Sequence, residues 1–322
     1  MQIPEKGTIY DNNYEVIGTL GQGGFASACL AKDLKTEENV VLKFPDINQL
    51  GDPAVYERFK REIAIGSLLN HPDLPIAFAY SEGNPPYIVV RYSDGKPLTD
   101  IIKEKGKFTA EETIDMVSKL LEVLQYCHEK GVYHRDIKPE NLLLGSDGHL
   151  KLIDFGIAGM EGAPRVTYRG FSNLVGTPEY MSPEQIKGER GGAKSDIYAV
   201  GCVMYNFLAG NPPYSGDNPL SIMYQHMTAE LVPLTQICSD VSNSLWAVVK
   251  KSLRRRKEER YDSAIEMAND LKNLDKVDLS ILDKIDPPLS SVATTKKSSW
   301  MIVVSISIVM LIIVVLIFAL KK

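Results

Sequence analysis

Residues 301–320 form a run of twenty positions without a single charged side chain. A helix of twenty residues is about 30 Å long, which matches the hydrocarbon thickness of a bilayer. A core helix of that length would normally carry a polar face, and this run offers only two serines. We therefore expect a transmembrane helix over residues 300–320, with Trp300 and the lysines at 296, 297, 321 and 322 as anchors at its two ends.

The rest of the chain has the composition of a globular protein. Of the 322 residues, 44% are hydrophobic and 24% are charged, and the formal net charge is −5. Surfaces that bind nucleic acid are usually basic, so no nucleic-acid partner is expected. The four cysteines are spaced too irregularly for a zinc site or a disulfide framework, which predicts buried free thiols. No apolar run precedes the domain, so no secretory signal is expected.

The periodicity of apolar residues predicts a small, mostly antiparallel sheet with one helix, followed by a larger helical part. Strands are expected within residues 14–45 and over 87–92, with a helix over 53–69 between them. Helical spacing then dominates, interrupted by two short strands over residues 141–144 and 150–153. Further helices are expected over residues 195–209, 243–253 and 264–274. Charges, two prolines and a Ser/Thr-rich stretch predict a linker over 276–299.

Four segments of the body suggest phosphate chemistry. The first is a Gly-dense turn between strands, consisting of Leu20, Gly21, Gln22, Gly23, Gly24, Phe25, Ala26, Ser27 and Ala28. Glycines let backbone N–H groups approach a polyphosphate closely, although such a turn alone is more often a simple hairpin. The second is Lys43, at the end of the next apolar strand. The third runs from His134 through Arg135, Asp136 and Lys138 to Asn141, and the fourth is Asp154-Phe155-Gly156.

Together these segments resemble the eukaryotic-type, or Hanks-type, protein kinases over residues 10–275. The likeness is strongest to the bacterial membrane-anchored subgroup. It implies a two-lobed α+β fold with an N-lobe over about 10–92 and a C-lobe over about 93–275. It also implies ATP in the cleft between the lobes, Mg²⁺ as the metal with Mn²⁺ as a possible substitute, and protein serine or threonine side chains as acceptors.

The resemblance also assigns roles to individual residues. Asp136 matches the catalytic base, and Lys138 matches the lysine that is typical of the serine/threonine branch. Lys43 matches the phosphate-binding lysine and Glu62 its ion-pair partner. Asn141 and Asp154 match the two metal ligands, which carry the oxygen donors that suit Mg²⁺.

Further residues match supporting positions of the family. Thr177 would brace Asp136 and Lys138, while Tyr92 would lie near the adenine-binding hinge. Glu184 would pair with Arg260, and Asp196 would support the backbone of the catalytic loop. Arg135 suggests a cation that binds phosphate on the activation loop, for which Thr167 and Ser172 are the candidate autophosphorylation sites.

Three residues of the ATP roof depart from the family pattern. Ala26 replaces a glycine, Ala28 replaces a valine, and Val41 replaces an alanine. The last two changes suggest that the volume above the adenine is conserved. No residue of the chemistry is lost, so we expect an active kinase. The alternative is a membrane-tethered pseudokinase scaffold that binds nucleotide without turnover.

Use of ATP would place the domain in the cytosol, as part of a single-pass membrane protein. Only Lys321 and Lys322 are then expected beyond the membrane. The basic run over residues 254–257 suggests either a solvated helix end or a surface for anionic partners, of which the former is favoured.

Overall fold

The computed structural model describes residues 4–22, 26–46, 53–83, 85–155, 158–160 and 177–289, without the side chains of residues 53–58, 159 and 160. The chain divides into two units, Met1–Pro287 and Pro288–Lys322. The expected transmembrane helix lies outside the described residues. Among the residues that are described, no helix is both long and apolar enough to cross a membrane.

The N-lobe is a six-stranded sheet in which every neighbouring pair is antiparallel. Its spatial order is β1-β2-β3-β4-β6-β5, and helix α1 connects β4 to β5. These elements are β1 Ile9–Tyr10, β2 Tyr14–Gln22, β3 Ala26–Asp33, β4 Asn39–Pro45, α1 Pro53–Leu68, β5 Ala77–Ser81 and β6 Tyr87–Arg91. The expected small antiparallel sheet with one helix is confirmed.

The strand register determines which side of the sheet Lys43 occupies. Lys43 lies opposite Ala28, and Val41 lies opposite Leu30. Because opposite residues point to the same face, these four side chains share one face. The same face holds a small apolar cluster that α1 covers, formed by Ala77, Ile88 and Val90 with Val41, Phe59 and Ile63. Lys43 therefore faces the side on which α1 lies.

The other face of the sheet has a core of its own. It contains Val16, Cys29, Ala31, Val40, Leu42, Phe44, Tyr87 and Val89, with Tyr10 and Tyr14 packed against it. Tyr87 also donates a hydrogen bond from its hydroxyl to Asp11. Both faces of β4 are therefore supported by apolar contacts, which holds the strand that carries Lys43.

The C-lobe is mainly helical, with three-stranded and two-stranded ladders at its edge. Its elements are β7 Lys96–Pro97, α2 Leu98–Lys105, α3 Ala110–Glu129, β8 Val132–Tyr133, β9 Leu142–Leu144, β10 Leu150–Leu152, β11 Gly159–Met160, α4 Pro183–Ile186, α5 Ala193–Ala209, α6 Pro219–Thr228, α7 Leu234–Ile237, α8 Asn243–Ser252 and α9 Ala264–Lys272. Short 3₁₀ turns occur at Pro139–Asn141, Pro178–Tyr180, Lys257–Glu259, Leu274–Lys276 and Leu279–Leu282.

Helix α5 forms the centre of the C-lobe. Every residue from Ser195 to Ala209 is buried, so this helix lacks the polar face of a surface helix. Helix α3 packs beside it and begins with a capping box, in which Thr109 and Glu112 bond to each other's backbone amides. All four cysteines are buried and free, as their spacing predicts. The core thus places the first turn of α5 beneath the loop that follows β8.

Residue 141 does not belong to the strand in which it was expected. Asn141 ends the 3₁₀ turn Pro139–Asn141, and β9 begins one residue later at Leu142. The reason is its side chain, whose amide donates back to the backbone carbonyl of Asp136 at 2.8 Å. That bond keeps Asn141 in the catalytic loop.

The first part of the predicted linker is folded against the C-lobe, which corrects its expected start at residue 276. The 3₁₀ turn Leu279–Leu282 contacts α8, where Lys250 Nζ donates to the carbonyl of Leu282 at 2.7 Å. Arg254 and Arg255 are only 3% and 4% exposed, and both pair with Asp286. For these two arginines neither interpretation of the basic run holds, because they are neither solvated nor available to an external anion, whereas Arg256 and Lys257 are exposed.

We expect removal of residues 276–287 to destabilise the domain. A chain of residues 1–275 would leave Arg254 and Arg255 without Asp286 and its neighbouring carbonyls. Loss of one partner of a buried ion pair costs about 3–5 kcal/mol. Urea unfolding of chains 1–275 and 1–287 would measure the difference. Within 1–287, Asp286→Ala should lower the free energy of unfolding, whereas the exposed Asp283→Ala should not. Equal stability of the two chains would show that residues 276–287 do not stabilise the domain.

Candidate active site

Lys43 is held between two carboxylates, one from each lobe. Its Nζ lies 2.5 Å from Glu62 Oε1 on α1 and 3.3 Å from Asp154 Oδ1, which follows β10. Burial favours the neutral amine, but Asp154 and Glu62 outweigh it and raise the pKa of Lys43 above its ordinary value. Burial also raises the pKa of the Glu62 carboxyl, and the Lys43 ammonium limits that rise. Lys43 is therefore a charged ammonium directed into the cleft.

A second polar cluster surrounds Asp136. Lys138 Nζ lies 3.0 Å from Asp136 Oδ2, and Asn141 Nδ2 donates to the same oxygen at 2.9 Å. Among the described residues both side-chain contacts of Asp136 therefore go to Oδ2, which leaves Oδ1 to accept a proton from a hydroxyl. Since Asn141 uses its amide nitrogen here, its carbonyl oxygen remains as a donor for a metal ion.

The backbone around Asp136 is fixed from below by Asp196, in the first turn of α5. Asp196 Oδ2 accepts from the His134 amide at 2.9 Å, and Oδ1 accepts from the Arg135 amide at 2.7 Å. His128 Nε2 lies 2.8 Å from Oδ2 as a third partner. Burial opposes the ionisation of Asp196, but His128 and these amides outweigh it and lower its pKa. The carboxylate is thus charged, and it brings the loop and α5 together.

Two residues of the site have left-handed backbone conformations. Arg135 has φ +66° and Asp154 has φ +67°, a region in which side chains larger than glycine are disfavoured. Such strain costs of order 1–3 kcal/mol and persists only where surrounding contacts impose it. For Arg135 these contacts include the bond to Asp196 and the Gln185 side chain, which donates to the Arg135 carbonyl at 2.9 Å.

His134 is a buried scaffold and not a base. Its Nε2 lies 3.2 Å from the carbonyl of Ile153, and its ring meets Phe155 edge-on at 4.9 Å between centroids. Burial lowers the pKa of His134, so the imidazole is neutral. This contact joins the loop of Asp136 to the segment of Asp154.

Comparison with known proteins agrees with this arrangement. Residues 14–271 match the family model described as the protein kinase domain. The chain belongs to the protein kinase family. A serine/threonine-protein kinase PknB of Mycobacterium leprae is 37% identical over 266 residues, which are 81% of this chain and 42% of that protein. The namesake from Mycobacterium tuberculosis is 36% identical with the same coverage. A probable serine/threonine-protein kinase of Streptomyces coelicolor is 36% identical over 80% of this chain and 39% of its own length.

The chain thus spans about two fifths of the length of these relatives. The expected Hanks-type family and two-lobed fold are confirmed. The family uses ATP and a divalent metal in general, and the kinase domain offers Asn141 and Asp154 as oxygen ligands for such a metal.

The roof of the kinase site is described only in part. Gln22 pairs with Ser27 and Gly21 with Ala28, so β2 and β3 remain joined up to the turn. Leu20 is exposed, while Ala26, Ala28 and Val41 are half-buried. Gly23, Gly24 and Phe25, the remaining residues of the Gly-dense segment, lie outside the described residues. Ala28 and Val41 are diagonal neighbours on the same face of the sheet. This position is compatible with the suggestion that the small and large side chains have changed places and conserve the volume above the adenine.

The remaining predicted residues make no described contact with Asp136 or lie outside the described part of the chain. Thr177 precedes the turn Pro178–Tyr180, and in the described part of the chain no hydrogen bond joins its hydroxyl to Asp136 or Lys138. Its bracing role stays a prediction. Tyr92 follows β6 directly and is half-buried, as a hinge residue would be. Gly156 and the candidate phosphosites Thr167 and Ser172 lie outside the described residues.

The end of the activation segment is fixed by a buried ion pair. Arg260 binds Glu184 with both terminal nitrogens, at 2.7 and 2.8 Å, and Ser195 donates to the same carboxylate at 2.6 Å. Burial opposes the charge on Glu184, but Arg260 outweighs it and lowers the pKa to about 2. This is the pair that the resemblance implies.

Two supporting residues were not predicted. His128 bonds to Asp196, and Gln185 bonds to the carbonyl of Arg135. The only sequence feature that could have pointed to Gln185 is its position directly after the predicted Glu184. His128 is one polar residue in the last turn of an amphipathic helix, and no sequence signal distinguishes it.

We expect Glu184 to make the kinase domain sensitive to acid. Its pKa is lower in the folded state than the ordinary 4.5, so its stabilisation is complete above pH 4.5 and is lost as the pH falls toward 2. Across that window the free energy of unfolding should fall more steeply in wild type than in Glu184→Gln, by up to about 1.4 kcal/mol per pH unit. Denaturant unfolding between pH 6 and 3 measures both slopes, and the exposed Glu258→Gln serves as control. Parallel slopes for wild type and Glu184→Gln would contradict this assignment.

Proposed function

We propose that this chain is a protein serine/threonine kinase that transfers the γ-phosphoryl group of Mg-ATP to a protein hydroxyl. The observation that carries the proposal is the cluster in which Lys138 and Asn141 bind one oxygen of Asp136, while no side chain in the described part of the protein binds the other. The names of the relatives, all serine/threonine-protein kinases or probable ones, point to the same acceptor class.

The reaction assigns a task to each group. The acceptor oxygen attacks the γ-phosphorus, the bond to the bridging oxygen breaks, and ADP leaves. Asp136 Oδ1 takes the acceptor proton, while Lys138 stabilises the charge on the moving phosphoryl group. Lys43, held by Glu62, orients the phosphates that stay with ADP.

The metal would be held by Asp154 and Asn141. Mg²⁺ prefers oxygen ligands in octahedral geometry and keeps several waters, and a carboxylate with a carbonyl oxygen suits it. When bound, the metal would neutralise negative charge on the nucleotide phosphates. Lys43 lies 3.3 Å from Asp154, so the nucleotide phosphates and the metal would meet at this carboxylate.

We expect Asp136→Asn and Lys43→Ala each to abolish phosphate transfer in a folded protein. General-base catalysis contributes roughly 10²–10⁴-fold to the rate, so the rate of phosphate transfer by Asp136→Asn should fall by that factor. Incorporation of labelled phosphate into the chain and into a protein mixture measures both variants. Exposed counterparts, Asp283→Asn and Lys35→Ala, are the matched controls. A wild-type protein that binds nucleotide without transfer would instead identify the scaffold alternative.

The same reactions locate the acceptor sites within the chain. We propose that one or both of Thr167 and Ser172 take up phosphate, and Ser172 is favoured because it is nearer to Thr177 in the sequence. Arg135 supports this, because burial and the neighbouring Arg190 guanidinium lower its pKa, and a phosphate nearby would offset that repulsion. Mapping of an active enzyme that retains unmodified Thr167 and Ser172 would exclude the control mechanism.

We also propose that residues 300–320 anchor the kinase to a membrane with its domain in the cytosol. The support is the length of the uncharged run and its flanking tryptophan and lysines. We expect the full chain to stay with membranes after an alkaline wash, whereas residues 1–287 alone should be released. Protease added to intact cells should leave the domain uncut until the membrane is permeabilised. Digestion before permeabilisation would show the opposite orientation.

A further inference from the structure

Gly66 lies in the last turn of α1, where the helix backbone approaches the backbone of β5. A Cβ atom on Gly66 would lie 1.8 Å from the carbonyl oxygen of Ala77 and 2.8 Å from its carbonyl carbon. Real Cβ atoms essentially never approach a heavy atom closer than 3.0 Å. The obstacle is the backbone of β5, which cannot rotate away as a side chain can. Any larger residue would therefore move α1 or β5 by about 1.2 Å.

The rest of this helix face consists of side chains. Phe59 and Ile63 pack against Ala77, Ile88 and Val90, at the spacing of one helical stripe. Gly66 continues the stripe by three residues but replaces a side chain with direct contact between backbones. Gly66 therefore lets the backbones of α1 and β5 approach each other directly near the C-terminal end of the helix.

Glu62 lies four residues, about one helical turn, before Gly66. Four residues rise by about 6 Å along a helix, so a shift at Gly66 is transmitted to Glu62 almost undiminished. Glu62 Oε1 is 2.5 Å from Lys43 Nζ, and a shift of that size would break the bond. Lys43 would then keep only Asp154, at 3.3 Å, and would neutralise a proposed metal ligand.

We infer that Gly66 is a positioning residue, which places α1 so that Glu62 binds Lys43 and shares it with Asp154. This inference rests on the proposed kinase activity. It assigns the alignment of the Lys43–Glu62 pair to a backbone contact within the N-lobe, so the pair forms in the absence of nucleotide.

A double-mutant cycle on the full chain tests this. We expect Gly66→Ala to reduce kcat/KM for ATP at least tenfold, with a soluble peptide as acceptor. In the Glu62→Gln background the same substitution should change kcat/KM less than twofold, because the bond it disrupts is already lost. Gly18→Ala adds the same methyl group at a strand position with nothing within 4 Å, and it should stay within twofold of wild type.

The outcomes separate the two claims. If wild type transfers no phosphate, the proposed function fails. If wild type is active but Gly66→Ala is unaffected, or is equally damaging in both backgrounds, only the positioning role is overturned.

A measurement on wild type covers the case in which Gly66→Ala does not fold. Hydrogen exchange should show that the backbone amides of residues 62–66 are protected without nucleotide, with less than twofold change on addition of Mg²⁺ and a non-hydrolysable ATP analogue. Protection that arises only with the nucleotide would show that the ligand seats α1, and it would overturn the inference.

Discussion

Asp196 is a carboxylate with no access to solvent, and it receives two backbone amides of the catalytic loop. A buried charge is costly unless its hydrogen bonds are satisfied, so the loop, α5 and His128 must meet in one geometry. That geometry forces Arg135 into its left-handed conformation and directs Asp136 into the cleft. The catalytic loop thus depends on a charge located in the core and not on the loop's own preferences.

The two lobes meet at Lys43. The strand that carries it is supported by apolar clusters on both faces, whereas its polar partners come from α1 and from the segment after β10. Its alignment therefore depends on the spacing of three separate elements. Phe155, buried against His134, connects the Asp154 segment to the loop that Asp196 holds. A displacement of any one of these elements would therefore change the distances between Lys43 and its carboxylate partners.

The sequence motifs singled out Lys43, Asp136 and Asp154 because their proposed roles demand those side chains, and the structure places Lys43 beside Asp154. Periodicity predicted the long helices for a similar reason, since a buried face repeats. It could not predict β1, which has only two residues. Nor could it predict that Arg254 and Arg255 are buried, because a run of charges normally faces solvent and their partner is distant in sequence. The contact of Gly66 with the backbone of β5 has no sequence pattern at all.

Asp286 follows Arg255 by 31 positions. At synthesis rates of 5–20 residues per second, roughly 2 to 6 s separate the addition of these two residues to a growing chain. Until Asp286 emerges, Arg254 and Arg255 lack the carboxylate that pairs with both of them, so the segment after α8 is without one of its final contacts. The segment lies beyond residue 271, where the family match ends. The completion of the C-lobe is therefore timed by the translation of residues that a family comparison would leave out.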